Sequence, residues 1–185
     1  MINFIFFDIN KNNIEQYQKV LENKIPNSIF LCDDLESLIK KYPINCIVSP
    51  ANSYGFMNGG IDKVINKIFN NIEPLVQYRI KQVGFTDNSE RYFLPVGYCE
   101  VVQKDNLYLF VAPTMTMPGK IISGSKNVEN AFFAILKQIE QMVLNGINII
   151  NIACPCLGTG VGQMDPTVSA MQIRDAVFLY YYSKN

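Results

Sequence analysis

The chain has 185 residues, of which 49% are apolar and 17% charged, with 16 basic and 16 acidic side chains and a formal net charge of zero. That length suits one domain with a well-filled core, and the missing basic excess argues against a general nucleic-acid binder, which must neutralise many phosphates. The chain has no histidine, so Ser-His-Asp and Cys-His catalysis and histidine-based metal sites are excluded.

Residues 2–7 are apolar and rich in β-formers, which predicts a buried first strand. Ile14, Tyr17, Val20 and Leu21 recur at helical spacing and predict a helix ending near Pro26. Residues 28–32 read as a second strand, and Leu35, Leu38 and Ile39 as a brief helical turn stopped at Tyr42-Pro43. Residues 45–49 predict a strong strand, residues 50–60 a loop, and Ile61, Val64, Ile65, Ile68 and Phe69 one face of a following helix. Pro74 opens another helix carrying Leu75, Val76, Tyr78, Ile80 and Val83, partly periodic. Residues 90–95 and 97–103 are expected to form a hairpin or paired strands, and residues 107–112 another buried strand. After a loop at 114–125, Asn127 is the expected cap of a long helix, with Gly146 at its C′ position. Residues 147–153 look like the most central strand, and residues 155–162 like a glycine-rich loop. Asp165-Pro166 reads as the N-cap and first position of the last helix.

Strands alternating with helices predict a three-layer α/β/α fold around a mixed, mainly parallel sheet. No repeat or linker interrupts residues 1–185, so a single domain is expected. Five cysteines, an odd number without a CxxC pair, and no leader-like or 20-residue apolar run point to free thiols, a cytoplasmic setting and no membrane segment. Cys154 and Cys156 read as buried structural thiols, and no metal or cofactor is expected. Ligands of such sheets bind beyond the carboxyl ends of the strands, and both glycine-rich loops follow strands.

The first loop, residues 50–60, ends in Gly59-Gly60 and runs into Ile61-Asp62. Glycines let a ligand approach the backbone, and a helix start offers free N–H groups to an anion. Asn52 directly after the strand suits a sugar hydroxyl, or simply a turn. Asp62 lies in the first helical turn, where an acid opposes the helix dipole. In the second loop, Gly158, Thr159, Gly160, Val161 and Gly162 can form a nest of N–H groups around phosphate oxygens. No Lys-Ser/Thr follows, so it is not a Walker loop, and its position near the C-terminus does not fit the Rossmann fingerprint. With no cationic cluster, bound phosphate must be held mainly by backbone N–H groups.

Together these segments resemble the macro domain, the ADP-ribose-binding family. Residues 46–52, CIVSPAN, are similar to the family's DAIVNAAN strand and loop; Gly59-Gly60-Ile61-Asp62 to its GGVD helix start; and residues 152–162 to its phosphate loop. The likeness is strongest to a variant subgroup with SPANSxGFMxGGID, APTM and GTGVG. Asn58 departs from a common glycine, and Val161 stands where the family often has an aromatic beside the distal ribose; Tyr54 or Phe56 are candidates for that cover. The resemblance implies a cleft for ADP-ribose or an ADP-ribosylated substrate. Asp33, with Asp34 as its neighbouring alternative, would take the adenine amino group. Gly59, Gly60, Ile61 and the Gly158, Thr159, Gly160, Val161 and Gly162 segment would hold the diphosphate, and Asn52 the distal ribose. It further implies hydrolysis of ADP-ribosyl esters or of ADP-ribose-1″-phosphate with Asn52 and Asp62 as catalytic residues, or, as the alternative, a non-catalytic reader of ADP-ribose or a related nucleotide.

Overall fold

The computed structural model describes residues 2–184. In chain order it contains β1 (Asn3–Asp8), α1 (Lys11–Leu21), β2 (Ser28–Cys32), α2 (Leu35–Lys41), β3 (Cys46–Ser49), α3 (Gly60–Ile68) and α4 (Glu73–Val83). There follow β4 (Phe85–Thr86), β5 (Tyr92–Phe93), β6 (Glu100–Lys104), β7 (Leu107–Val111), α5 (Asn127–Leu144), β8 (Asn151–Pro155) and α6 (Pro166–Tyr182). Six strands form one sheet in the order β2-β1-β8-β3-β7-β6, parallel throughout except for β6, which runs against β7.

Strand alternation builds two cores from one sheet. Phe4 and Phe6 of β1 face a core with Ile14 and Tyr17 of α1, Phe132 and Ile135 of α5, and Ile173 of α6. Ile5 and Phe7 face the opposite core, with Leu35 and Leu38 of α2, Ile65 of α3 and Val76 of α4. The fold is thus the expected three-layer α/β/α arrangement. Full burial of side chains such as Phe6 and Ile5 contributes about 1.5–3 kcal/mol each before entropy is counted.

Several expected elements differ. Residues 90–95 and 97–103 do not pair with each other: β5 pairs with β4, and β6 with β7. Leu94 N–H instead donates to Ser53 carbonyl (2.8 Å), drawing the chain after β5 onto the first loop. The central strand begins at Asn151, not at residue 147. The preceding segment is held by the Asn45 side chain, whose Nδ2 donates to Asn148 carbonyl (2.7 Å) and whose Oδ1 accepts from Ile150 N–H (3.0 Å). Lys126, not Asn127, holds the N-cap position of α5. Asn127 Nδ2 donates to Thr114 carbonyl (2.8 Å), while Gln172 Oε1 of α6 accepts from Val128 and Glu129 N–H (3.0 and 3.1 Å). A partner distant in sequence thus does the work of a local cap. Asp165 does cap α6, accepting from Thr167 and Val168 N–H.

Candidate functional site

A cavity of about 410 Å³ opens along the carboxyl edge of the sheet, within the size range of small-molecule sites. Asp8 and Ile9 at the end of β1, and Asp34 and Leu35 after β2, line one end. Residues 158–162 after β8 and Gly59, Gly60 and Ile61 at the start of α3 line the middle, with Asn52, Phe56, Asp62 and Thr114 beyond them. Among the described residues no Lys or Arg lines it.

The second loop is shaped from below. Gly158 has φ +71°, a conformation that disfavours side chains, and a Cβ on Gly162 would stand 2.5 Å from Gly158 carbonyl oxygen. Ser169 Oγ of α6 donates to Leu157 carbonyl (2.6 Å) and lies 2.6 Å from Tyr17 Oη. Since the serine proton goes to the carbonyl, Tyr17 donates to the serine oxygen. Both side chains are fully buried, so this relay fixes the start of the loop from within the core. Met164 N–H closes the loop on Gly158 carbonyl (3.0 Å). Among the described residues, none of the backbone N–H groups of Gly158, Thr159, Gly160, Val161 and Gly162 donates to a protein acceptor. Gly160 is the exception in shape: it lines the cavity, its φ is outside the left-handed region, and a Cβ there meets nothing within 4 Å.

The first loop is held by its own asparagine. Asn52 is buried; its Oδ1 accepts from Tyr54 and Phe56 N–H (3.1 and 3.2 Å) and its Nδ2 donates to Phe56 carbonyl (2.8 Å). Most of its bonding capacity is therefore spent on the turn, leaving one amide hydrogen for the cavity. Thr114 and Met115 after β7 fasten the same loop, through Thr114 Oγ1 to Pro50 carbonyl (2.9 Å) and Ser53 N–H to Met115 carbonyl (2.9 Å). Tyr54 does not line the cavity. It stacks behind Phe56 (centroids 6.0 Å) and donates to Asp87 Oδ2 (2.8 Å), with the Arg91 guanidinium 4.6 Å from its ring. Backbone N–H donation from Arg91, then the Tyr54 bond, hold the Asp87 carboxyl well below the usual carboxylate range. Phe56 does line the cavity, and Val161 faces Gly60 across it, its Cγ2 3.8 Å from where a Gly60 Cβ would sit.

Five of the six helices have a side-chain acceptor at their first turn: Asn10 for α1, Asp34 for α2, Asn66 for α4, Gln172 for α5 and Asp165 for α6. Among the described residues, only α3 has none, and its first N–H groups point their partial positive charge toward the cavity end of the helix. Gly59 sits at that N-cap with an extended backbone and open space around its missing side chain.

The aspartates divide by partner. Asp62 Oδ1 accepts from Ser49 Oγ (2.7 Å), a bond that lowers its pKa, but burial dominates and raises it from 3.8 to about 6. Asp33 is turned to Lys41 (2.6 Å), whose ammonium holds its carboxyl below the usual range, and it does not line the cavity. Asp34, the neighbouring candidate, does line it. Asp8, Ser49, Tyr17 and Ser169 are site residues for which the sequence carried no local signal. Burial, with the Asp8 charge second, pushes the Cys156 thiol at the cavity wall well up, so it is no nucleophile. Among the described residues no cluster of His, Cys, Asp or Glu can hold a metal ion, and no helix is long and apolar enough to cross a membrane.

Among solved structures the chain is similar to the macrodomain of Mycobacterium tuberculosis DarG, at 19% identity and a TM-score of 0.55, covering 76% of this chain and 85% of that one. At that identity the likeness shows the fold. No curated protein matches the chain in sequence. The Macro domain family model matches residues 48–173, from the first loop's strand to the last helix. That is well over half of the sequence and takes in both glycine-rich loops: the chain belongs to the macro domain family, whose members generally bind ADP-ribose.

Proposed function

We propose that the cavity binds ADP-ribose and that the protein hydrolyses ADP-ribosyl esters of acidic side chains or ADP-ribose-1″-phosphate. The observation that carries binding is the pair of facing backbone rows: unpartnered N–H groups from Gly158 to Gly162 and, among the described residues, the one helix start without a side-chain acceptor. Two such rows across a cavity without lysine or arginine suit a diphosphate held by preorganised dipoles. Gly59 and Gly160 support this reading, because the fold gives neither a reason to lack a side chain while a ligand against the backbone does.

With the diphosphate at the two loops, the base lies toward the end of β2, where Asp34 in place of Asp33 takes its amino group. The distal ribose then lies toward Asn52, Phe56 and Asp62, with Phe56 supplying the cover that Val161 does not. A carboxyl with a pKa of about 6 is mostly ionised at neutral pH yet basic enough to take a proton. Asp62 would draw the proton from a water attacking C1″ as the C1″–oxygen bond to the acceptor breaks and the acceptor leaves as its carboxylate or phosphate. Ser49 holds the Asp62 carboxylate in place, and Asn52 shapes the loop while offering its remaining amide hydrogen to the ribose.

One observation favours a non-catalytic reader: Asn52 is largely engaged by its own loop. Titration calorimetry with ADP-ribose, paired with release assays on ADP-ribosylated Glu/Asp protein and on the 1″-phosphate, separates the two. Binding with release that Asp62→Asn loses supports the hydrolase. Binding without release leaves the reader, and no binding overturns both.

A further inference from the structure

One carboxylate in the cavity has no part in the reading above. Asp8 ends β1, and β1 lies between β2 and β8 in the sheet. Neighbouring strands are about 4.8 Å apart. If the base sits beyond β2 and the diphosphate at the loop after β8, the unit spanning the end of β1 is the sugar that joins them. We infer that Asp8 reads the adenosine ribose, accepting from its vicinal hydroxyls and rejecting nucleotides that carry a phosphate there. The inference rests on the ADP-ribose reading, but Asp8 lies outside residues 48–173 and takes no support from the family match.

The local geometry leaves the carboxylate oriented and unsaturated. Asp8 Oδ1 accepts from Asn10 N–H (2.8 Å) and Oδ2 from Asn13 Nδ2 (2.9 Å). A carboxylate has about four acceptor positions; with the Cys156 thiol also against it, Asp8 keeps at least one for a ribose hydroxyl. Thr159 Oγ1 stands 3.5 Å from Oδ2, but a nearer acceptor, Cys156 carbonyl at 2.9 Å, takes its proton. Asn13 Nδ2 also reaches Thr159 Oγ1 at 3.4 Å. Asp8 is thereby tied to the loop that would hold the adjoining phosphate. Hydroxyl donation to an ionised carboxylate belongs to the stronger class of hydrogen bonds. A phosphate in place of one hydroxyl would instead bring like charge against Asp8 in a cavity where, among the described residues, no cation lines the wall to receive it.

The test is calorimetry on wild type and Asp8→Asn with three ligands: ADP-ribose, ADP-ribose phosphorylated at the 2′ position of the adenosine ribose, and its 2′-deoxy analogue. Asparagine keeps an acceptor for Asn10 N–H, and circular dichroism checks the fold. Wild type is expected to bind the 2′-phosphate at least about 100-fold more weakly than ADP-ribose, and the deoxy analogue about 10-fold more weakly. In Asp8→Asn the preference against the phosphate is expected to shrink at least 10-fold. Wild type binding ADP-ribose and the 2′-phosphate within threefold overturns the role of Asp8 and leaves the ADP-ribose reading standing. So does a folded Asp8→Asn that keeps the full preference. Wild type binding none of the three overturns both, and a wild-type ratio within threefold overturns the role of Asp8 whether or not the variant folds.

Discussion

Two glycines of the second loop, two residues apart, should respond to substitution in opposite ways. A side chain at Gly160 meets nothing within 4 Å and needs no left-handed backbone, so Gly160→Asp should change stability by less than about 0.5 kcal/mol. The new carboxylate would stand beside the unpartnered N–H groups. At about 5 Å from a bound diphosphate, with an effective dielectric near 20, it repels each phosphate charge by about 3 kcal/mol. Affinity for ADP-ribose should fall roughly 100-fold or more. Gly162→Ala is the reverse. Its Cβ would lie 2.5 Å from Gly158 carbonyl oxygen and 2.7 Å from Ile121 Cδ1, and the first of these is backbone that cannot swing away. Overpacking of this kind costs about 1–3 kcal/mol or more, which lowers Tm by roughly 3–10 °C in a chain of this size. Calorimetric titration and thermal unfolding on both variants read the two axes. Gly160→Asp that binds within threefold of wild type, or melts as low as Gly162→Ala, would refute the assignment of this loop as the anion seat.

Asp62 makes stability and turnover depend on pH in opposite directions. Its native pKa of about 6 exceeds the ordinary 3.8, so the native state holds the extra proton between those values and stability falls as pH rises through that window. Asp62→Asn should therefore be more stable than wild type at pH 7.5, by up to about 3 kcal/mol, and no more stable at pH 4; urea unfolding at both pH values checks this. The same variant should lose about 10²- to 10⁴-fold in ester hydrolysis, while wild-type turnover rises with an apparent pKa near 6 in single-turnover assays. Ser169→Ala removes the donor to Leu157 carbonyl and the acceptor for Tyr17 in a fully buried site, and should cost about 2–4 kcal/mol. Tyr17→Phe should cost less in the same unfolding assay, because the Ser169 bond to the loop survives. Brief treatment with a thiol alkylator at pH 7.5 should modify Cys32 alone, since it is exposed whereas burial pushes Cys46 up to about 12 and also raises Cys99, Cys154 and Cys156 well above the ordinary thiol range; mass spectrometry reads the count.

What the sequence made legible was local. The glycine spacing of both loops, the Asp165-Pro166 start of α6 and the helical repeat of α5 depend on neighbours within a few residues, and each is present at those positions. What it hid was set at long range. The partner of β5 is a two-residue strand with no pattern of its own, and β6 turns away from β5 because Ser53 claims Leu94. The α5 cap comes from Gln172, more than forty residues on. Asp33 and Asp34 are indistinguishable in sequence until Lys41, two turns along α2, takes Asp33. Asp8 sits in a strand read only for its apolar residues, and its closeness to Thr159 follows from strand order, which periodicity does not report.

The register of β1 against β8 also governs synthesis. Asn3 and Asn151 share a hydrogen bond across 148 residues of chain. β8 fills the slot between β1 and β3, so a nascent chain carries two open, largely apolar edges until residue 155 has left the ribosome. The anion loop emerges only after that strand, and Ser169 of α6, which fixes the start of the loop, emerges later still, so translation assembles the cleft late. Protein stalled short of β8 should therefore be sticky, a client for chaperones and empty of nucleotide.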